Sequence, residues 1–151
     1  MEDIASPIHL IGPSLRTSPR TAATDIPGFW QRFAAEFLPR LPRRADDKAL
    51  YAVYCEYEND FQGEYTMILG VAGVENATLP PDVRRVRIVP GRYERFVAEG
   101  DPAQVVWKTW MHINGEWERR GERRYLTDFE RYAPESMVGG QAKVEIFVGL
   151  R

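Results

Sequence analysis

The sequence predicts an α+β domain made of two pseudo-symmetric strand–helix–strand–strand units, which together form one antiparallel sheet with two helices and a central cleft. Three observations predict it. A stripe of large apolar side chains at helical spacing occurs twice, once in each half of the chain. Each stripe is followed by two stretches rich in β-favouring residues and bounded by turn signals. The two halves, about 8–75 and 83–151, can also be aligned so that Glu56 matches Glu130 and the glycines ending "YTMILG" and "VEIFVG" coincide. All of residues 1–151 then make one domain.

In order, "IHLIGPSLRTS" reads as a strand broken at Gly12-Pro13, because proline cannot donate to a ladder. Residues 26–38 read as a helix. Pro27 suits a first turn, Thr24 or Asp25 a cap, and Phe29, Trp30, Phe33 and Phe37 form the stripe; Pro39 stops it. "ALYAVYCEYEN" and "EYTMILGVAG" follow as strands around the turn "DFQG". "VRRVRIVPGRYERFVAEG" reads as a strand pair split at Pro90-Gly91. Asp101-Pro102-Ala103-Gln104 has the pattern of a capped helix start, with the helix running from about Pro102 to Trp117 and Val106, Trp107, Trp110, Ile113 and Trp117 on or near one face. "RRYLTDFERY" and "AKVEIFVGL" close the chain as strands.

Composition bounds the function. The chain has 151 residues, 44% hydrophobic and 28% charged, with a net charge of -2, so no global field draws it to nucleic acid. The basic runs "PRLPRR" and "RRVR" read as solvated surface. Cys55 is the lone cysteine, and His9 and His112 lack neighbours at metal-ligand spacing; neither a disulfide nor a metal or cofactor site is expected. The start "MEDIASPIHLIG" is unlike a secretory signal, and no apolar stretch approaches a membrane span. A reduced, cytoplasmic setting is the expectation.

Four tryptophans and seven tyrosines suit the walls of a pocket with a wet rim. In "YLTDFERYAPES" (Tyr125–Ser136), strand alternation places Asp128, Glu130 and Tyr132 on one face. Glu130 reads in two ways: a carboxylate in an aromatic cavity, which would favour a cation, or a surface acid paired with Arg131. Tyr54 and Glu56 share a face of the first-half strand, and Tyr93 lies on another strand; each ring is either pocket wall or sheet packing. Trp107 and Trp110, three apart, divide between core and cavity floor. The charge run from Glu116 to Arg124 reads as a solvated helix end. No nucleophile elbow or phosphate loop is present, and no catalytic residue is assigned.

The order "VPGRYERFVAEG", "VVWKTWMHINGEW", "RRYLTDFERY", "AKVEIFVGL", preceded by "IGPSLRTS", "FWQRF" and "YAVYCEYENDFQGEYTMILGV", resembles the GyrI-like small-molecule-binding domain. This domain is attached to some AraC-type and MerR-type regulators and also occurs free-standing, as in integron-associated effector-binding proteins. The resemblance covers about Ile8 to Leu150. It implies two strand–helix–strand–strand units and a cleft that takes lipophilic, often cationic compounds. It implies Glu130 as the central carboxylate, Trp110 or Trp107 as the aromatic wall, and Tyr93 and Tyr132 nearby. Only seven residues precede Ile8, so no DNA-binding helix-turn-helix is expected in front.

The expected function is a stand-alone binder of lipophilic organic cations, without direct nucleic-acid or membrane contact. Its ligand residues are expected among Glu130, Trp110, Trp107, Tyr93, Tyr132, Tyr54 and Glu56. The alternatives are a hydrolase using Glu130 and a tyrosine, or a gyrase-inhibitor-like module that meets a separate regulator or a topoisomerase. An exposed edge strand could pair two copies into a homodimer.

Overall fold

In the computed structural model, which describes residues 1–134, 137–138 and 140–151, the chain forms strands β1 (Glu2–Ile4), β2 (Ile8–Gly12) and β3 (Ser14–Thr17), helix α1 (Ala22–Arg32), strands β4 (Leu50–Cys55), β5 (Tyr65–Ala72), β6 (Arg84–Ile88) and β7 (Gly91–Gly100), helix α2 (Pro102–Gly115), and strands β8 (Thr127–Tyr132), β9 (Met137–Val138) and β10 (Gln141–Leu150). The fold is α+β. One curled antiparallel sheet runs in the order β1-β7-β10-β8-β4-β5-β2-β6, with β3 also on β5 and β9 on β10. The order is symmetric about the β4–β8 seam: β7-β10-β8 on one side answers β2-β5-β4 on the other.

Local chemistry accounts for most boundaries. Pro13 splits the first predicted strand, so β2 reaches both β5 and β6 while β3 pairs with β5 alone. Asp101 caps α2 by accepting from the Ala103 amide at 3.1 Å, and Pro102 takes the first position. Helix α2 stops at Gly115, short of the expected Trp117. Helix α1 begins four residues before the expected Ile26, and Pro27 lies inside it. The start is held from outside the helix. The Thr17 hydroxyl donates to Asp25 at 3.0 Å and meets Thr21 at 3.1 Å, which ties the first turn to β3. The helix continues as a π-turn over Phe33–Phe37 and a 3-10 turn over Leu38–Arg40. Strand β1, which pairs with β7, carries no strand signal in its residues. Glu135 and Ser136, at the end of the stretch that begins at Tyr125, lie outside the described residues.

Two apolar layers flank the sheet. On the helix side, Phe29 and Phe33 from the α1 arm and Ile113 from α2, with Trp117 just beyond it, cover Ala52, Leu69, Val144, Ile146 and Val148. On the other side the sheet curls over itself, and Leu10, Val53, Ile88, Tyr93 and Phe129 share a second cluster. There Phe129 stacks on Phe147 with ring centres 4.5 Å apart. At the outer edge, β6 presents Arg84, Arg85 and Arg87 to solvent. No helix among the described residues is long and apolar enough to cross a membrane.

The register corrects one alignment. Gly70 pairs with Tyr51, and continuing the β8–β10 register from Phe129↔Phe147 puts Gly149 opposite Thr127. Superposing the two glycines therefore superposes Tyr54, not Glu56, on Glu130. The chain leaves the sheet at Glu56, which has φ 50, so strand alternation ends one residue too early to carry that acid inward.

Gly12 and Gly70 let β2 and β5 touch backbone to backbone. A Cβ on Gly12 would lie 1.8 Å from the Leu69 carbonyl oxygen, and one on Gly70 2.5 Å from that of Ile11. Neither obstacle is a side chain that can turn away. Gly12→Ala is expected to destabilise the protein by about 2–4 kcal/mol, read as a lower urea midpoint at unchanged slope; a change within about 0.5 kcal/mol would show that the strands can part.

Candidate functional site

Three strands and a helix converge on Glu130. It stands on the helix-side face of β8, opposite Ala52 of β4, with Asp128 and Tyr132 as its same-face neighbours. It is only 1% exposed. Both carboxylate oxygens are engaged. Oε2 accepts from the Tyr54 hydroxyl at 2.7 Å and from the Trp110 indole N–H at 2.6 Å. Oε1 accepts from the Tyr132 hydroxyl at 2.6 Å. All three donors are neutral, and among the described residues no cationic side chain forms an ion pair with it. Arg131, the surface partner considered from sequence, points to the other face and pairs with Glu145 at 3.2 Å.

Burial is the largest influence on Glu130 and pushes its carboxyl above the usual range; the bonds from Tyr132, Tyr54 and Trp110 pull the other way without cancelling it. Burial beside this acid also drives the Tyr54 and Tyr132 phenols well above their ordinary value and Tyr65 to about 12. The hydroxyls are therefore held as donors.

The rings make a wall around the acid. Tyr54 meets Trp110 edge-on at 5.2 Å and Tyr65 at 5.8 Å. On the α1 side Trp30 meets Tyr132 edge-on at 5.1 Å. Trp30, Tyr54, Tyr65 and Trp110 are each half-buried, so the wall reaches solvent while the acid does not. Helix α1 packs on β3, and α2 on β7 and β10, which leaves the central β4–β8 seam between them.

The structure brings together Glu130, Trp110, Tyr132 and Tyr54 from the residues singled out by sequence. It places the other three elsewhere. Trp107 is 61% exposed, because the docking of α2 turns Val106, Trp110 and Ile113 inward. Tyr93 is buried in the opposite core, where its hydroxyl donates to the Val89 carbonyl and meets Thr127. Glu56 is exposed and held by both Nη atoms of Arg84 at 3.1 Å. Trp30 and Tyr65 were not assigned to the site from sequence. Trp30 stood in the predicted α1 stripe, which was its only signal.

A second acid sits beside the first with the opposite arrangement. Asp128 is fully buried and paired at 2.9 Å with Arg123, itself only 1% exposed. Asp128 also accepts from the Tyr57 hydroxyl and, at 2.8 Å, from the Gly149 amide. Burial opposes the charge on Arg123, but Asp128 and its neighbours outweigh it and the guanidinium value rises. Arg123 belongs to the Glu116–Arg124 run, whose composition predicts solvated surface. Nothing in that run marks which of its arginines turns inward.

Residues 6–150 match the family of the integron-associated effector binding protein, Cass2. The chain belongs to this family. It is 29% identical over 145 residues to YobU of Bacillus subtilis (strain 168), which carries the name of a transcriptional regulator; the match covers 93% of this chain and 90% of YobU. Integron cassette protein VCH_CASS2, from the mobile metagenome of Vibrio cholerae, superposes with a TM-score of 0.75 at 25% identity, covering 99% of this chain and 94% of that one. SAV2435, solved bound to tetraphenylphosphonium, shares the fold with a TM-score of 0.80 at 18% identity, covering 99% of this chain and 92% of its own. Effector binding is what the family's description names, in keeping with a GyrI-like, small-molecule-binding domain.

The raised Glu130 carboxyl has a consequence for stability. The native chain binds this proton more tightly than the unfolded chain does. The stability it contributes is complete below the ordinary carboxylate range and is lost as pH rises through the folded value. Glu130→Gln removes that dependence. The variant is expected to gain stability relative to the wild type between acid and neutral pH, in urea unfolding at a series of pH values. A constant difference across that range would mean that burial does not govern this group.

Proposed function

We propose that the protein binds lipophilic organic cations at the aromatic wall over the β4–β8 seam, with Glu130 as the counter-charge. The observation that carries this reading is a buried carboxylate held by three neutral donors and by no cation of its own among the described residues. Such a group is costly to ionise in place, and a cation brought by a ligand removes that cost. Ring faces around it attract the same charge and bury the ligand's apolar surface. A structurally similar protein, SAV2435, was solved bound to tetraphenylphosphonium, a cation wrapped in phenyl rings, which supports this ligand class. One charge and several rings constrain shape weakly, so selectivity among such cations is expected to be broad.

The hydrolase alternative has less support. Both phenols beside Glu130 are held protonated by burial, so neither is poised as a base.

Titration calorimetry with tetraphenylphosphonium tests the reading. Glu130→Gln is expected to weaken binding by about 30-fold or more, since one partner of a buried charge pair is lost. Cation binding favours ionised Glu130, so wild-type affinity should fall as pH is lowered through the raised carboxyl value, with proton release on binding at acid pH. Equal affinity in both proteins would remove Glu130 from the site, and catalytic turnover of a reactive ester abolished in Glu130→Gln would favour hydrolysis instead.

A further inference from the structure

The Arg123–Asp128 pair is not used by the binding reading, yet it adjoins the site. Arg123 spans the gap between α2 and β8. Its Nη1 donates to Asn114 Oδ1 of α2 at 2.6 Å, and its Nη2 donates to Asp128 Oδ2 of β8 at 2.9 Å. The Trp110–Glu130 bond spans the same gap between the same two elements. Asn114 lies one helical turn beyond Trp110, and Glu130 lies two residues beyond Asp128 on the same strand face. Arg123 also covers the indole directly, with its guanidinium carbon 5.8 Å from the Trp110 ring and 4.4 Å from that of Tyr125.

An indole has one donor, and its direction follows the ring. For that N–H to meet Oε2 at 2.6 Å, both the rotation of α2 over β8 and the tilt of the ring must be fixed. Arg123 restrains both: its rigid fork fixes the helix through Asn114, and its face packs against the ring.

We propose that Arg123 is a positioning residue for the ligand site, holding the Trp110 indole N–H on Glu130, a group Arg123 does not touch, and so tuning the site for cations. This rests on the reading of Glu130 as the ligand's counter-charge. The groups facing Glu130 are Tyr54 from β4, Tyr132 from β8, Trp110 from α2 and, further off, Tyr65 from β5; Asp128, next on the same face of β8, is closed by its own pair with Arg123, and the neighbour from α1 is Trp30, which does not titrate. Of these, Trp110 is the donor whose aim depends on α2. Its bond holds the Glu130 carboxyl down, so losing it lets that carboxyl rise further.

The test is tetraphenylphosphonium affinity across pH for the wild type, Arg123→Lys, Asn114→Ala, Trp110→Phe, the Arg123→Lys/Trp110→Phe double variant and Glu130→Gln. Lysine keeps a charge for Asp128 but lacks the fork. Asn114→Ala leaves the buried ion pair intact, so it remains informative should Arg123→Lys fail to fold. Trp110→Phe is expected to move the acid midpoint of binding to higher pH. Arg123→Lys and Asn114→Ala should move it the same way by less, with affinity near that midpoint falling about 3- to 10-fold, the range for one misdirected hydrogen bond. The double variant should move it no further than Trp110→Phe alone. A purely structural Arg123 would lower the urea midpoint and leave the pH midpoint of the folded protein in place. That result, or additive shifts in the double variant, overturns the proposal while leaving Glu130 as the ligand's acid. Undiminished affinity in Glu130→Gln would instead remove the reading on which it rests.

Discussion

An ionisable carboxyl in a low-dielectric interior is tolerable only if something answers it, and the helix side of this protein is organised around that constraint. The answer to Glu130 comes from three separate elements: a phenol from β4, a phenol from β8 and an indole from α2. Each donor must be carried to the same point by a different part of the chain. The β4–β8 register supplies the tyrosines, and the docking of α2 supplies the tryptophan. The pseudo-symmetry enters here, since the glycine register places Tyr54 where the other half has Glu130. The acid and its donor are equivalent positions of two similar halves meeting at the seam.

Two acids on one strand face show the two ways of meeting this constraint. Asp128 has a resident cation, and its surroundings are closed by Tyr57, Gly149 and Arg123. Glu130 has neutral donors only. The first arrangement is a fixed joint between α2, β8 and β10. The second keeps a charge-bearing group in reserve, polarised by its partners but not neutralised by them. Buried ion pairs contribute modestly to net stability once desolvation is counted, so the joint matters more for geometry than for energy.

Much of the fold was legible because its signals are local. Pro13 had to interrupt a ladder, Asp101-Pro102 had to begin a helix, and aromatic stripes at helical spacing had to face a sheet. Misses came where distant contacts decide. The start of α1 depends on Thr17 of β3 reaching Asp25, which no helix-cap pattern reveals. Trp107 and Trp110 lie about 60° apart around a helix axis, and only its docking decides which faces inward. Glu56 joins the candidate residues through its match to Glu130 in the repeat, but the left-handed backbone there ends the strand first. Arg123 was hidden among like neighbours, and only its partners Asn114 and Asp128 single it out.

The arginines of β6 have a bearing on association. A sheet edge offers unpaired amides and carbonyls to any extended segment, including a second copy of itself. Here one of the two outer strands, β6, carries Arg84, Arg85 and Arg87. Two such edges laid against each other would bring six guanidinium groups into one narrow band, with Glu56 already committed to Arg84. Like charge thus opposes the pairing of this edge with itself.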